Sequence, residues 1–149
     1  MMIMSDETFT AYDIRGKITE GVSLEVAWNI GKALADWLST YGKITVMRGE
    51  GANETLAKAL IEGLRLQGRD VLDSGSGSKT NLEERIKDDG LSGGVFVTHD
   101  EDQDVCVIEL YNDKAQLIVA ENGLNEIAEQ THAGNFVPAA SKGELTAIV

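Results

Sequence analysis

The sequence predicts an α/β fold: a three-layer α/β/α sandwich whose mixed, mainly parallel sheet carries an antiparallel edge hairpin. Three observations predict it. Amphipathic helical segments alternate along the chain with short, β-rich apolar runs. Within the run GVFVT, at 94–98, Val, Phe and Val follow one another, as expected for a strand that helices cover on both faces. Two later β-rich runs are separated by only three polar residues, a spacing typical of an antiparallel hairpin.

The first half of the chain contains two helices, each followed by a strand. Ser23 is a suitable N-cap for an amphipathic helix that runs to Leu38. Asn53 caps a second amphipathic helix, whose end is marked by Gly68. The strands that follow these helices are residues 44–47 and 71–72.

A Gly/Ser loop at 74–78 leads into a third, more polar helix. Thr80 and Glu83 have the spacing of a capping box, and Gly90 marks the end of this helix. The strand at 94–98 follows, so helices and strands alternate in βαβα order.

The second half of the chain predicts a hairpin and a fourth helix. Residues 105–111 and 115–119 are β-rich, and the polar residues between them predict a turn that closes one edge of the sheet. The helix runs from about Gly123 to His132, with Gly134 as its end.

Composition excludes two classes of partner. The 149 residues include 13 Lys and Arg against 25 Asp and Glu, a formal net charge of −12. No basic cluster interrupts this acidic character. Because nucleic acids and anionic membrane surfaces attract basic patches, we expect neither as a partner.

The remaining composition indicates one domain, spanning 1–149, in the cytoplasm. The single Cys106 permits no disulfide within the chain, and together with only two His residues it cannot build a Cys/His zinc site. The first residues lack the basic region of a secretory signal, and no run approaches the about 20 apolar residues that span a bilayer.

Five segments, in order and spacing, resemble the α-D-phosphohexomutase family, and within it the bacterial phosphomannomutases. They cover nearly the whole chain and correspond to the first of the four domains of that family. The segments are AYDIRGK (11–17), AWNIGKALADWL (27–38), ETLAKALIEGLRLQGRDVLDSG (54–75), GGVFVT (93–98) and GLNEIAEQTHAGNFVPA (123–139).

The resemblance breaks down at the residues that carry the chemistry. In the family, the strand at 93–98 runs into a T-A-S-H-N-P loop whose serine is phosphorylated and exchanges phosphoryl groups with a hexose phosphate, while Mg²⁺ shields the transferring charge. An ungapped alignment places Asp100 at the serine position, so no catalytic residue is expected. A deletion would instead make His99 the histidine of that loop, still without a serine. Glu50 falls where the family has an arginine, whereas Arg15 is retained.

Two hypotheses of function follow from the resemblance. The first is a catalytically inactive single-domain relative of phosphomannomutase, acting as a binding or regulatory module or as an orphan remnant. The later family domains, with their Mg²⁺ loop, have no counterpart in these residues, so we expect no required cofactor and no mutase activity. The second hypothesis is a first-domain component of a mutase that retains a weak sugar-phosphate site, with Mg²⁺ as the implied metal. The residues of that site would be Arg15, Thr98, His99 and Asp100.

The acidic loop at 99–104 also has the composition of a weak metal site. Asp100, Asp102 and Asp104 alternate as in the first half of an EF-hand loop, and carboxylates suit hard divalent cations. Val105 and Tyr111 occupy positions where that motif requires Gly and Glu. The alternatives are therefore a solvated acidic loop and a weak cation site.

Apolar features favour a protein partner, most simply a homodimer. The two runs of the predicted hairpin are too apolar for simple alternation, and Trp28 and Trp37 lie nine residues apart on one helix. Because positions nine residues apart do not lie on the same narrow stripe of a helix, we expect one of these rings to be exposed or at a contact surface.

Overall fold

Six strands form one mixed sheet in residues 8–148, the part of the chain that the computed structural model describes. Four α-helices and one short 3₁₀ turn, at Ala120–Asn122, connect them. The strands are β1 Ile14–Gly16, β2 Ile44–Arg48, β3 Val71–Ser76, β4 Gly93–Asp100, β5 Val105–Tyr111 and β6 Leu145–Ala147. The helices are α1 Leu24–Trp37, α2 Glu54–Leu66, α3 Lys79–Asp88 and α4 Leu124–Ala133.

The strand order is β1-β5-β4-β2-β3-β6. The pairs β4–β2, β2–β3 and β3–β6 are parallel, whereas β5 runs antiparallel to both β4 and β1. Three helices pack on one face of this sheet and α3 packs on the other. The predicted three-layer sandwich with a mixed, mainly parallel sheet is therefore confirmed.

Strand β4 is buried on both faces, as its apolar run predicts. Val95 and Val97 belong to the larger core, shared with α1, α2 and α4, whereas Phe96 belongs to the smaller core under α3. Neighbouring residues of a strand point to opposite faces of the sheet, so this alternation also shows to which face each of the following residues of β4 points.

Both predicted N-caps are present. The Ser23 hydroxyl accepts a hydrogen bond from the Val26 amide, and the Asn53 side chain accepts one from the Leu56 amide at 3.0 Å. The Gly134 that ends α4 has φ of 66°, the left-handed conformation that glycine adopts without strain. No helix within residues 8–148 is long and apolar enough to cross a membrane.

The start of α3 differs from the prediction. Its N-cap is Ser78, and the reciprocal capping box joins Ser78 to Asn81 rather than Thr80 to Glu83. The reason lies in β3, which stays paired with β2 as far as Ser76 and so shortens the loop that precedes the helix.

The antiparallel region also uses different strands from those predicted. Residues 105–111 form β5, which lies between β4 and β1 and not at an edge. Residues 115–119 turn back onto the end of β5 as predicted, but they form no strand: Leu117 makes an isolated bridge to Tyr111, and the Asn112 and Ile118 amides donate to the Gln116 and Leu110 carbonyls. A hairpin that was not predicted joins β4 to β5, and its turn is the acidic loop at 101–104. Long-range pairing with β1, which local spacing does not reveal, places β5 inside the sheet.

Candidate functional site

The carboxyl ends of the parallel strands meet at one edge of the sheet. Strands β2, β3 and β4 end there at Arg48, Ser76 and Asp100. The connection after β2 uses α2 on one face, and the connection after β3 uses α3 on the other. The strand order therefore reverses between β2 and β4, and in open α/β sheets such a reversal leaves a crevice where ligands bind.

The end of β4 divides the predicted site residues between two faces. Asp100 contacts Arg15, whereas His99 contacts Asp104, and these contacts lie on opposite sides of the strand. Thr98, two residues before Asp100, shares its face. The structure therefore brings Arg15, Thr98 and Asp100 to one face, and it separates His99 from them.

Arg15 lies at the centre of a charged cluster on the α3 face. Its Nη1 is 3.3 Å from Asp100 Oδ2 and donates to Gln103 Oε1 at 3.1 Å. Its Nη2 and Nε donate to the two carboxylate oxygens of Asp13 at 2.8 and 3.2 Å. Four of the five N–H groups of the guanidinium are thus engaged by side chains of its own chain.

The surroundings of Asp13 and Arg15 favour the charged form of both side chains. Burial alone would raise the pKa of Asp13, but hydrogen bonds from Arg15 and Thr10, together with the charges of Arg15 and Lys79, hold it below its ordinary value of 3.8. The hydrogen bond to Asp13 raises the pKa of Arg15, against the opposing effect of burial. The ion pair therefore stays charged across the physiological pH range.

The other oxygen of Asp100 organises the turn between β4 and β5. Oδ1 accepts hydrogen bonds from the backbone amides of Asp102 and Gln103 at 3.0 and 3.2 Å. Asp104 then adopts a left-handed conformation, with φ of 54°, before β5 begins. Both carboxylate oxygens of Asp100 therefore have partners inside the domain.

A second ion pair extends the cluster along the same face. Lys79 Nζ, at the start of α3, is 2.9 Å from Glu109 Oε1 on β5. Together with the two ion pairs of Arg15, this pair gives a cluster of two cations and three carboxylates: Arg15, Lys79, Asp13, Asp100 and Glu109. The cluster is net negative, so it disfavours another anion.

Asp13, Lys79, Glu109 and Gln103 were not among the predicted site residues. A local signal exists for Asp13, because residues two apart on a strand share a face and Asp13 therefore accompanies Arg15. No local signal joins Lys79 to Glu109, which lie thirty positions apart and meet only because α3 packs on β4, the strand that pairs with β5.

On the opposite face, His99 lines a separate cavity of about 390 Å³. Its Nε2 lies 3.0 Å from Asp104 Oδ1. Cys106, the register partner of His99 on β5, lines the same cavity but is buried. Burial and then the Asp104 charge raise the pKa of the Cys106 thiol, so this sulfur is not an activated nucleophile.

The acidic loop does not assemble a metal centre. Within residues 8–148, no three His, Cys, Asp or Glu side chains are grouped so that they could hold a metal ion. Asp100 is engaged by Arg15 and by backbone amides, and Asp104 contacts His99 on the other face. Asp100, Asp102 and Asp104 therefore do not fit Mg²⁺ as a ligand set, and cation binding by this loop stays a prediction without geometric support.

Glu50, at the position of the family arginine, is exposed in the loop between β2 and α2. In this loop region the cation is Arg48, and its Nη1 pairs with Glu54 rather than facing Asp100. The charge reversal at Glu50 thus adds to the acidic character of this edge of the sheet.

Comparison with known proteins finds a family model and relatives that match most of this chain. Residues 6–137 match the family model "Phosphoglucomutase/phosphomannomutase, alpha/beta/alpha domain I". A phosphomannomutase of Escherichia coli is 34% identical over 133 residues, which are 87% of this chain and 29% of that protein. The chain therefore spans less than a third of that relative. A protein of Klebsiella pneumoniae, also named phosphomannomutase, is 32% identical over 145 residues, which are 94% of this chain and 91% of the relative.

A solved structure supports the same fold. The chain superposes on a phosphoglucomutase/phosphomannomutase family protein of Burkholderia thailandensis with a TM-score of 0.79 and 24% identity. The match covers 97% of this chain and 33% of that structure.

Proposed function

Because the chain belongs to the phosphoglucomutase/phosphomannomutase family and matches its α/β/α domain I, we propose that it is a catalytically inactive form of this domain that acts as a binding or regulatory module. One observation carries the proposal. Asp100 occupies the position where the family resemblance places the phosphorylated serine, and its carboxylate is held by Arg15 and by two backbone amides.

Phosphoryl exchange on a serine requires a hydroxyl that accepts the group and later returns it. The Asp100 side chain offers no hydroxyl, and its carboxylate is already engaged by Arg15 and by two backbone amides. Arg15, which could balance a transferring phosphoryl group, is already neutralised by Asp13 and Asp100. Carboxylates of the chain itself therefore occupy the cation that would otherwise bind a phosphoryl group. This supports a module that does not turn over substrate.

The charge of the cluster also bears on what the module binds. Two cations face three carboxylates around Arg15 and Lys79, and Glu50 is a further acid near this edge of the sheet. A sugar phosphate would bring about two more negative charges into this region. We therefore favour a protein partner over a phosphorylated sugar as the ligand of the module.

The activity test uses the purified chain with mannose 1-phosphate or glucose 1-phosphate, a hexose bisphosphate activator, and Mg²⁺ present or absent. We expect product formation at the background rate and no mass increase of the protein after incubation with the bisphosphate. The Escherichia coli phosphomannomutase serves as the positive control. Turnover well above background would overturn the proposal.

A binding test separates the proposal from its alternative, a mutase component that retains a weak sugar-phosphate site. Isothermal titration calorimetry with mannose 6-phosphate, with and without Mg²⁺, should give no saturable heat up to millimolar ligand. Saturable binding that Arg15→Ala abolishes would establish the alternative instead. Arg85→Ala, which removes an exposed ion pair on α3, is the matched control for the loss of one positive charge.

A further inference from the structure

The two edges of the sheet are protected differently. Beyond β1, residues 8–10 cover the edge: Phe9 bridges to Ile14, and the Arg15 amide donates to the Thr8 carbonyl at 2.8 Å. At the other edge, β6 pairs with β3 on its inner side, and within residues 8–148 no strand pairs with its outer side.

The β6 edge also lacks the usual chemical protection. Edge strands in soluble proteins commonly carry charged residues or proline, which prevent pairing with another strand. Residues 145–148 read LTAI, with neither a charge nor a proline, in a chain where 26% of residues are charged. All four are exposed, including the large apolar side chains of Leu145 at 44% and Ile148 at 39%.

Backbone alternation shows which groups face outward. The Glu144 carbonyl accepts from the Val71 amide, and the Ile148 amide donates to the Asp73 carbonyl. Residues 144, 146 and 148 therefore face β3, so the amide and carbonyl groups of Leu145 and Ala147 point away from the sheet. These four outward groups are two donors and two acceptors.

This arrangement is complementary to itself. Antiparallel pairing about a two-fold axis at Thr146 sets Leu145 opposite Ala147 of a second copy, and Ala147 opposite Leu145 of that copy. In that register, each facing pair exchanges two hydrogen bonds, which makes four across the interface. No like charges face each other, because Leu145, Thr146 and Ala147 are uncharged and Glu144 faces Ile148.

We propose that β6 is a docking edge for β6 of a second copy of this chain, in antiparallel pairing that joins two six-stranded sheets. The main-chain hydrogen bonds supply affinity and fix the register, and the exposed side chains of Leu145 and Ile148 supply apolar contact. A three-residue strand pair buries less than the about 1,200–2,000 Å² of a stable interface, so the dimer is weak and concentration-dependent. The net charge of −12 adds repulsion that salt screens, so association strengthens with ionic strength.

The association test is sedimentation velocity of the chain from about 10 μM to 1 mM at moderate salt. The wild type should shift from monomer toward dimer across this range. Ala147→Pro removes an outward amide without touching the bonds to β3, and Leu145→Lys adds a charge to the edge; each should leave the protein monomeric. Leu24→Lys, at an equally exposed leucine on α1, makes the same charge change and should still dimerise. Circular dichroism verifies that each variant is folded.

Cysteine cross-linking tests the register directly. Thr146 faces its own counterpart across the proposed axis, so Thr146→Cys should form an interchain disulfide under mild oxidation. Ala147→Cys should not, because in this register the two 147 positions are more than about 7 Å apart. A monomer over the whole concentration range, a dimer that survives both edge variants, or equal cross-linking at 146 and 147 would each overturn the proposal.

Discussion

At the residue scale, the Asp100 carboxylate has no free oxygen. Oδ2 faces Arg15, and Oδ1 accepts the two amides of the turn. Two of these partners are local and the third, Arg15, lies 85 positions away. Asp100 therefore acts as a structural anion that joins β1 to the β4–β5 turn, in the place where the family resemblance puts a reactive hydroxyl.

Replacing Asp100 by serine should not restore activity. Arg15 would remain paired with Asp13, and Glu50 would still present a negative charge at the position of the family arginine. We expect Asp100→Ser to show neither turnover nor phosphoserine when its intact mass is measured after incubation with hexose bisphosphate. Asp100→Asn, which keeps the shape without the charge or the hydroxyl, is the control. A mass gain of one phosphoryl group on the serine variant alone would contradict this prediction.

The Asp13 carboxylate should make a pH-dependent contribution to stability. Its pKa in the folded protein lies below the ordinary value of 3.8, so its ion pair with Arg15 stabilises the fold above that value. The contribution is lost as the pH falls through the lower, folded-state pKa. Asp13→Asn should therefore cost about 1 kcal/mol at pH 7 and progressively less below about pH 5.

Urea titrations of wild type and Asp13→Asn at several pH values provide the measurement. The difference in unfolding free energy should be constant from neutral pH down to about pH 5 and then shrink. A difference that stays constant down to pH 2 would show that the ion pair does not produce the effect.

At the element scale, α1 and α2 cross with their backbones in close contact at two glycines. A Cβ on Gly31 would lie 2.4 Å from the Leu60 carbonyl oxygen, and a Cβ on Gly63 would lie 2.1 Å from the Trp28 carbonyl oxygen. Both distances are far inside van der Waals contact, so a methyl group at either position must separate the helices. These contacts explain two glycines inside helices, where glycine is otherwise unfavourable.

Gly63→Ala should therefore destabilise the protein by about 3 kcal/mol, although alanine is the better helix former by about 1 kcal/mol. Chemical denaturation measures the loss. Gly134→Ala is a matched control, because φ at Gly134 is 66° but nothing lies within 4 Å of the added methyl group. It should cost only about 1 kcal/mol. Equal losses for the two variants would argue against the helix contact.

The carboxyl end of α1 is capped from a distance by Arg69. This side chain is only 3% exposed, and it donates to the carbonyls of Ala35 and Leu38 at 2.7–3.0 Å and to the Thr40 carbonyl. Burial lowers the pKa of Arg69, yet the guanidinium stays protonated, as arginine does throughout proteins. The planar guanidinium can satisfy several carbonyls at once, as a single ammonium group cannot.

Arg69→Met should cost about 2–4 kcal/mol in unfolding free energy, because it leaves buried carbonyls without donors. Arg69→Lys should recover little of this loss. Thermal and urea unfolding provide the measurement, with Arg85→Met as the control, since Arg85 forms only an exposed ion pair with Asp89. A loss at Arg69 no larger than at Arg85 would contradict the capping role.

At the scale of the whole molecule, unequal helix cover explains where the charged cluster lies. Three helices cover one face of the sheet, where β1 and β5 contribute Ile14, Cys106, Ile108 and Leu110 to the core. On the other face α3 packs against β2 and β4. Arg15 and Glu109 occupy the part of that face on β1 and β5, and so they need charged partners rather than apolar neighbours.

The sequence by itself determined the features that depend on neighbouring residues. The caps at Ser23 and Asn53, the helix end at Gly134 and the doubly buried run at 95–97 are set by local hydrogen bonding and hydrophobic periodicity. Five ordered segments also sufficed to identify the family. At the start of α3, sequence reasoning predicted a capping box from Thr80 to Glu83, whereas the N-cap is Ser78, because the length of β3 depends on its pairing with β2.

Only the tertiary structure decided which distant residues meet. It placed β5 between β4 and β1, joined Arg15 to Asp100 and Lys79 to Glu109, and left β6 at an edge of the sheet. Each of these results depends on strand register or helix packing between residues far apart in the chain. A shift of one residue in register exchanges the two faces of a strand, and local periodicity carries no information about which strands become neighbours.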